Sequence, residues 1–348
     1  MITKKELISR IVLIAVCLAV AIACIIHMNQ SYDPLARYSY ATDENRDIIL
    51  EYLDSSDIDY LINQHLKPED FMDFIDQDDF VLKNCLYYKE AFQTQTAQKD
   101  YIVHFVNRFR KKFSLDTLKD LLTYYTYLDL TTFYETESTV HPDLSLVSNP
   151  TIATITLNEN RSIYKYVPDN LVDYDGVSVQ SCMVDDLQSM LEAYQSISND
   201  LDSMDVTSGY ISYESILENY VYASQNSDKV DHYMLNAGMN EQQLGYTITL
   251  SGYDEWLELL LEQEEVSENF DYTSLNENLS EEMKQRIEWL EENAYRYGFV
   301  IRYSSTSYKK TNHWYMPFML RYVGKDNAKK IHDKNTCMED VSLSDEIE

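Results

Sequence analysis

The side chains that ordinarily do hydrolytic chemistry are few here, and they are scattered. His313 lies three residues before Met316, His232 lies ten before Gln242, and Cys182, His332 and Cys337 are the other imidazole or thiol candidates. A zinc site draws on closely spaced ligands, as in C-x-x-C or H-E-x-x-H, and no such pair occurs. A site built on His313 would have to gather its ligands from distant segments. The acidic run Glu262-Gln263-Glu264-Glu265 has the spacing of neither an EF-hand loop nor a catalytic dyad, and reads as a solvated helix face.

Three later segments carry a more specific signal. They are Ser208-Gly209-Tyr210-Ile211-Ser212-Tyr213-Glu214, then Asn240-Glu241-Gln242-Gln243-Leu244-Gly245-Tyr246-Thr247-Ile248-Thr249, then Tyr297-Gly298-Phe299-Val300-Ile301-Arg302-Tyr303 with Tyr315-Met316-Pro317-Phe318-Met319-Leu320-Arg321-Tyr322-Val323-Gly324. In order and spacing these resemble the VanY-type D-alanyl-D-alanine carboxypeptidases, whose members read S-G-Y-R-S-Y, S-E-H-Q-x-G-x-x-x-D, Y-G-F-x-x-R-Y and E-P-W-H-x-R-Y-V-G. The resemblance covers roughly residues 145–325, and the run from Asn160 to Val172 looks like that domain's opening.

The resemblance implies a zinc peptidase, and the residues depart from it at every chemical position. Where the family places His, Asp and His as zinc ligands, this chain has Gln242, Thr249 and Met319. An amide carbonyl and a neutral hydroxyl are poor zinc ligands, and a thioether prefers softer metals. The family's general-base Glu is matched by Met316, which has no titratable group, and the Arg facing substrate charge is matched by Ile211. No catalytic or metal-binding residue is therefore expected, and no cofactor. What persists, including Gly209, Gly245, Gly298 and Pro317, serves backbone geometry and packing. Tyr210, Tyr213, Tyr315 and Arg321 are the candidates for holding a peptide or its carboxylate without cutting it. Thirty tyrosines are spread along the whole chain, so only those within the motifs are singled out.

The first segment of the chain bears on where this happens. Ile11 to Ile26 is an unbroken run of apolar or small residues, extended by His27 and Met28 and preceded by Lys4, Lys5 and Arg10. About 20 residues cross a bilayer core, so a membrane span over residues 11–28 is expected, with a cytoplasmic stub at 1–10 and the body outside. Two other readings are cleavage of a secretory signal after Ala21-Ile22-Ala23 and lipid attachment at Cys24, and both also export the body. The continuous apolar run favours an uncleaved anchor. Three widely spaced cysteines in the body make no disulfide framework.

Between anchor and motifs the composition changes. All seven glycines fall at Gly176 or later, and runs at 43–53, 68–75, 97–113 and 115–128 carry apolar residues at helical spacing. A helical extracellular domain is expected over 29–140, with a hinge near 135–150 and a carboxypeptidase-type domain over 141–330. Phe105, Phe109 and Phe113, flanked by Arg108, Arg110, Lys111 and Lys112, read as the core face of an amphipathic helix rather than a basic docking face. The acidic tail at 331–348 reads as disordered from Glu339 onward. Net charge is −31 over 348 residues, which with an external location argues against a nucleic-acid partner.

The expected fold is α+β: a small antiparallel sheet with helices, as in the LAS group of peptidases that the resemblance implies, preceded by a helical domain and one transmembrane helix. Helices are expected over 180–197 and 213–223, and strands over 245–250, 299–304 and 319–323, the alternation of Tyr246, Ile248 and Leu250 supporting the first strand. The leading functional expectation is an inactive carboxypeptidase homologue at the cell surface that binds peptidoglycan stem peptide or regulates a wall-processing protein. The alternatives are an active carboxypeptidase using a displaced site, and a structural partner of a membrane complex whose old groove is packed shut.

Overall fold

The structure, a computed structural model, describes residues 4–31, 33–198 and 203–347. It separates into two compact units, residues 1–115 and 116–348.

The first unit opens with α1 (Lys4–Ser31), which contains the stretch Ser9–Met28, long and apolar enough to cross a membrane and unburied by the rest of the chain. Short helices follow: α2 (Arg46–Tyr52), α3 (Ser55–Asn63), α4 (Cys85–Thr94) and α5 (Lys99–Phe109). Asp54 starts α3 by a reciprocal capping box with Asp57, which satisfies two of the orphan amides. Residues 68–75, expected as a helix, form only a single 3₁₀ turn, Pro68–Asp70, followed by turns, yet Phe71, Phe74 and Ile75 are still buried. Phe105, Phe109 and Phe113 lie in the core, Phe105 stacking on Phe113 with centroids 6.0 Å apart.

The second unit begins with α6 (Leu115–Tyr124), α7 (Tyr127–Thr132) and a π turn at Phe133–Glu137 that continues into α8 (Ser138–Val140). The stretch expected as a hinge therefore falls inside this unit, where Phe133, Leu144 and Tyr164 share a core. Strands β1 (Ser145–Leu146) and β2 (Arg161–Ser162) pair in parallel, and β3 (Leu171–Tyr174) and β4 (Val177–Gln180) form a hairpin. The main sheet is β5 (Val206–Ser208), β6 (Thr247–Leu250), β7 (Phe299–Ile301) and β8 (Met319–Tyr322), ordered β5-β6-β8-β7 and antiparallel throughout. Around it lie α9 (Val184–Gln195), α10 (Tyr213–Asn226), α11 (Tyr253–Leu261), α12 (Glu281–Asn293), α13 (Tyr308–Thr311) and α14 (Lys325–Asp333). This is the expected α+β architecture. α9 starts at Val184 rather than 180 because Gln180 pairs with Leu171 in the hairpin and Ser181–Met183 make a 3₁₀ turn.

The acidic tail is not loose. Asn327 donates to the Ser344 carbonyl (2.9 Å) and accepts from the Ser344 amide (2.9 Å), Met338 is buried, and Ile347 lies against Gly324. Composition suggested disorder; interspersed Met338, Val341 and Leu343 instead pack on Val300, Val323, Ala328 and Ile331.

Candidate functional site

The positions singled out by the motifs converge on β5, β6 and β8. Cross-strand register sets Ser208 opposite Thr249 and Thr249 opposite Met319. Gln242 sits in the 3₁₀ turn Glu241–Leu244 that leads into β6, and its Nε2 donates to Ser208 Oγ (3.1 Å) and the Gly209 carbonyl (3.5 Å). Thr249 Oγ1 is 2.9 Å from Thr207 Oγ1. Met316 precedes β8, its amide donating to the Tyr303 carbonyl (2.9 Å) and its carbonyl accepting from the Met319 amide (3.0 Å). Ile211 is half-buried just after Gly209. The five positions thus belong to one locality, tied by hydrogen bonds or strand register from Ile211's loop to Met319.

The frame is built residue by residue. Asn240 Oδ1 caps the turn at the Gln242 amide (2.9 Å); Gln243 is fully buried and bridges the Gly238 amide to the Tyr164 and Tyr166 carbonyls (3.0, 2.6 and 3.0 Å). Gly245 ends the turn at φ 76, a conformation that a side chain would strain. Gly209 packs so tightly on the Ser178 carbonyl that no Cβ fits there. Ser212 caps α10 by accepting from the Ser215 amide (3.2 Å).

Gln242, Thr249, Met316 and Met319 are themselves buried, and beside them lies a buried ion cluster that motif reading placed in part on the outside. Glu241 accepts from Arg302 through both oxygens (2.7 and 2.9 Å) and from the Leu157 amide (3.0 Å). Arg321 is fully buried; it lies 3.5 Å from Glu241 and donates to Thr247 Oγ1 and the Ala153 and Ile155 carbonyls (3.1, 2.6 and 3.1 Å). Glu339, from the tail, is a second carboxylate on Arg302 (2.6 Å). Burial alone would raise the Glu241 carboxyl, but the two guanidinium groups hold it below its ordinary value. Arg321 is thereby corrected from a ligand-facing candidate to a scaffold residue, because it is fully buried and both of its terminal nitrogens bond within the core. Glu339 carried no sequence signal, since its partner lies 37 residues away.

The aromatic candidates divide. Tyr210 and Tyr213 are half-buried, Tyr213 lying edge-on to Tyr164 at 5.6 Å with the Lys165 ammonium 5.4 Å from its ring centroid. Tyr315 is buried beside Trp256 and Tyr272, and its hydroxyl donates to Glu291 (2.7 Å).

A zinc ion does not fit the donors at this centre. Gln242 turns its amide nitrogen, a donor, toward Ser208; Thr249 and Thr207 share a hydroxyl–hydroxyl bond; Met316 and Met319 supply only thioethers. The displaced candidates do not gather either. His313 is buried against Tyr303 (4.1 Å), and neither ring nitrogen has a hydrogen bond of acceptable geometry. Burial pushes its pKa down to about 4, with the His232 backbone opposing and Arg302 reinforcing the shift. His232 stacks on Trp314 and meets the Asn312 carbonyl (2.9 Å), while His332 stacks on Tyr295. Among the described residues no group of three or more His, Cys, Asp or Glu side chains is placed to hold a metal.

Comparison with known proteins places this frame. Residues 176–325 match the family described as VanY, D-alanyl-D-alanine carboxypeptidase. The chain is 30% identical over 159 residues to the putative carboxypeptidase YodJ of Bacillus subtilis, covering 45% of this chain and 50% of that protein. It is 24% identical over 159 residues to a D-alanyl-D-alanine carboxypeptidase of Enterococcus faecium, covering 42% and 52%. The chain thus spans about half the length of these curated relatives. Among solved structures, the D,D-pentapeptidase VanY with Zn(II) aligns at TM-score 0.41 and 21% identity, covering 54% of this chain and 97% of that one. The LD-carboxypeptidase LdcB aligns at 0.43 and 25%, covering 56% and 88%. The stretch that carries Gln242, Thr249, Met316 and Met319 thus lies within the residues that match the VanY carboxypeptidase family.

Proposed function

We propose that this protein is a non-hydrolytic member of the VanY family, held at the cell surface by α1, that binds the stem peptide of peptidoglycan without cleaving it. The observation that carries the reading is the convergence of Gln242, Thr249, Met316 and Met319 on one site that offers neither a zinc ligand set nor a base. The preserved frame supports binding over loss of all function: every side chain from Asn240 to Gln243 still makes its buried bonds. Tyr210 on the loop beside Gln242 and Tyr213 at the start of α10, both half-buried, would supply contact to the peptide.

A second reading, a structural partner in a membrane or wall-processing complex, is favoured by the complete burial of Met316, Phe318 and Arg321, which leaves less room at the centre. One experiment separates these from catalysis. The full chain, purified in detergent, is assayed for bound metal and for D-alanine release from a pentapeptide, and then for retention on peptidoglycan sacculi. Metal-free, inert protein that sediments with sacculi supports the binder; inert protein that does not sediment supports the structural partner. Stoichiometric zinc with D-alanine release overturns both.

A further inference from the structure

Charge is unevenly divided within the first unit. Residues 33–79 carry fourteen carboxylates and three Lys or Arg side chains, whereas residues 80–115 carry two carboxylates and seven. In a chain of net charge −31, the second stretch is positive by five. The fold then sorts these seven cations. Lys89 and Lys99 turn to Asp70 and Asp73, at 2.7 and 3.0 Å. Lys83, Arg108, Arg110, Lys111 and Lys112 gather where the end of α5 lies beside the start of α4. Asn84 donates to Asn107 (2.9 Å), which brings Lys83 to the turn of Arg108, and the Arg110 guanidinium lies 3.5 Å from the Tyr87 ring centroid.

The phenylalanines of α5 are in the core, as their spacing predicted, so the cations around them form a surface of their own. Arg110 is half-buried and the other four are exposed. Val81 and Leu86, 43% and 40% exposed, add apolar surface on either side of Lys83. A carboxylate borders the patch one turn back along α5, where Asp79 meets His104 at 3.3 Å, and Asp116 follows it in sequence. The dipole at the end of α5 favours a cation in its last turn, which accounts for one of the five and not for the group. The apolar stretch of α1 ends at Met28, and Leu35 is already buried in the core of the unit. Seven residues reach at most about 25 Å, so the patch is tethered close to whatever surface α1 enters.

We infer that this patch docks on the phosphate-bearing face of an anionic lipid bilayer and lays the first unit against the membrane that holds α1. The inference rests on α1 being an uncleaved anchor, and it is independent of what the centre on β6 and β8 binds. Each Lys or Arg brought near such a surface favours docking by about fivefold. The carboxylates of residues 33–79 are repelled by the same surface, so one orientation of the unit is selected. Val81 and Leu86 enter the interface among the headgroups, where partly apolar side chains gain contact.

For the test, the full chain is placed in nanodiscs of phosphatidylcholine, alone or with about one-third phosphatidylglycerol, and lysine acylation is followed residue by residue by mass spectrometry. In the anionic discs Lys83, Lys111 and Lys112 should react about fivefold more slowly than in the neutral ones, and high salt should restore their rates. Lys67, in the same unit with its side chain 52% exposed, should change little. Lys111→Glu with Lys112→Glu should return Lys83 to its rate in neutral discs, and an unchanged urea midpoint reports that the variant is folded. Retention of the chain in neutral discs reads α1 alone; its loss would remove the anchor on which the inference rests, whereas retention with unaltered acylation would sink the patch by itself. The inference is also overturned by equal slowing at Lys67, by slowing of Lys83 that survives in the double variant, or by the same slowing when soluble polyphosphate is added to neutral discs.

Discussion

Glu241 and Gln242 are neighbours in sequence and face opposite fates. Glu241 points into the core, where Arg302, Arg321 and Glu339 complete a charged cluster; Gln242 points to the centre formed with Ser208, Thr249 and Met319, where no charge is left. Arg321 and Met319, two residues apart on β8, repeat the contrast. A carboxylate buried against two guanidinium groups cannot be exchanged for a neutral side chain without leaving uncompensated charge in the interior. A metal ligand can be exchanged for a neutral side chain of similar size at small cost to the fold, because no opposite charge in the interior is left without its partner. The chain keeps the charges on which the core depends, while the neighbouring centre of Gln242, Thr249 and Met319 carries none.

The severest way to break that comparison is to remove Glu241. Glu241→Ala should destabilise the second unit by about 3–5 kcal/mol in urea unfolding, because Arg302 and Arg321 lose their shared carboxylate. A loss below 1 kcal/mol would mean that the cluster does not hold the fold. The opposite operation sharpens the contrast: Gln242→His, Thr249→Asp and Met319→His together should leave the fold standing and raise bound zinc from none toward one ion per chain, read by elemental analysis. If the triple variant unfolds, or folds without binding zinc, the frame around the centre is not that of a metal site.

His313 gives a prediction in pH. Its folded pKa, about 4, lies below the ordinary 6.5, so the unfolded chain takes up a proton first as pH falls. Nothing is lost above about pH 6.5; between there and about pH 4 stability should fall by up to about 1.4 kcal/mol per pH unit from this group. His313→Phe should remove that slope in urea midpoints measured from pH 7 to 4.5, and an unchanged slope would assign it elsewhere. The smallest effect is expected at Glu339, the outer partner of Arg302, whose side chain is 21% exposed. Glu339→Gln should cost about 1 kcal/mol, less in high salt, and a cost matching that of Glu241→Ala would make the tail part of the core.

Much of the centre was legible from the family resemblance that the motifs carry. The resemblance carried by four motifs far apart in sequence implies that Gln242, Thr249 and Met319 meet, and strand register brings Thr249 to Met319 while a hydrogen bond ties Gln242 to Ser208. What spacing could not show is the direction of a side chain whose partner is distant. Arg321 reads as a groove residue until Glu241, 80 positions earlier, turns out to face it inside the sheet. Glu339 fails to stand out for the same reason, and the tail's acidic composition concealed three apolar side chains that pack on α14 and Val323. Periodicity found α2 and α5 of the first unit but named neither α3 nor α4, and it overstated 68–75, where burial of Phe71, Phe74 and Ile75 is achieved by turns.

The fastening of the tail also has a mechanical side. A pull directed outward at Ile347 would first load its packing on Gly324, then the paired bonds between Ser344 and Asn327, then the Glu339–Arg302 ion pair. These contacts lie in series, so they would peel one after another at low force. The strand β8 is held differently, bonded on both flanks by β6 and β7, and its bonds would share a load together. Under tension the tail would therefore yield long before the sheet, as a short extensible leash on a stiff body.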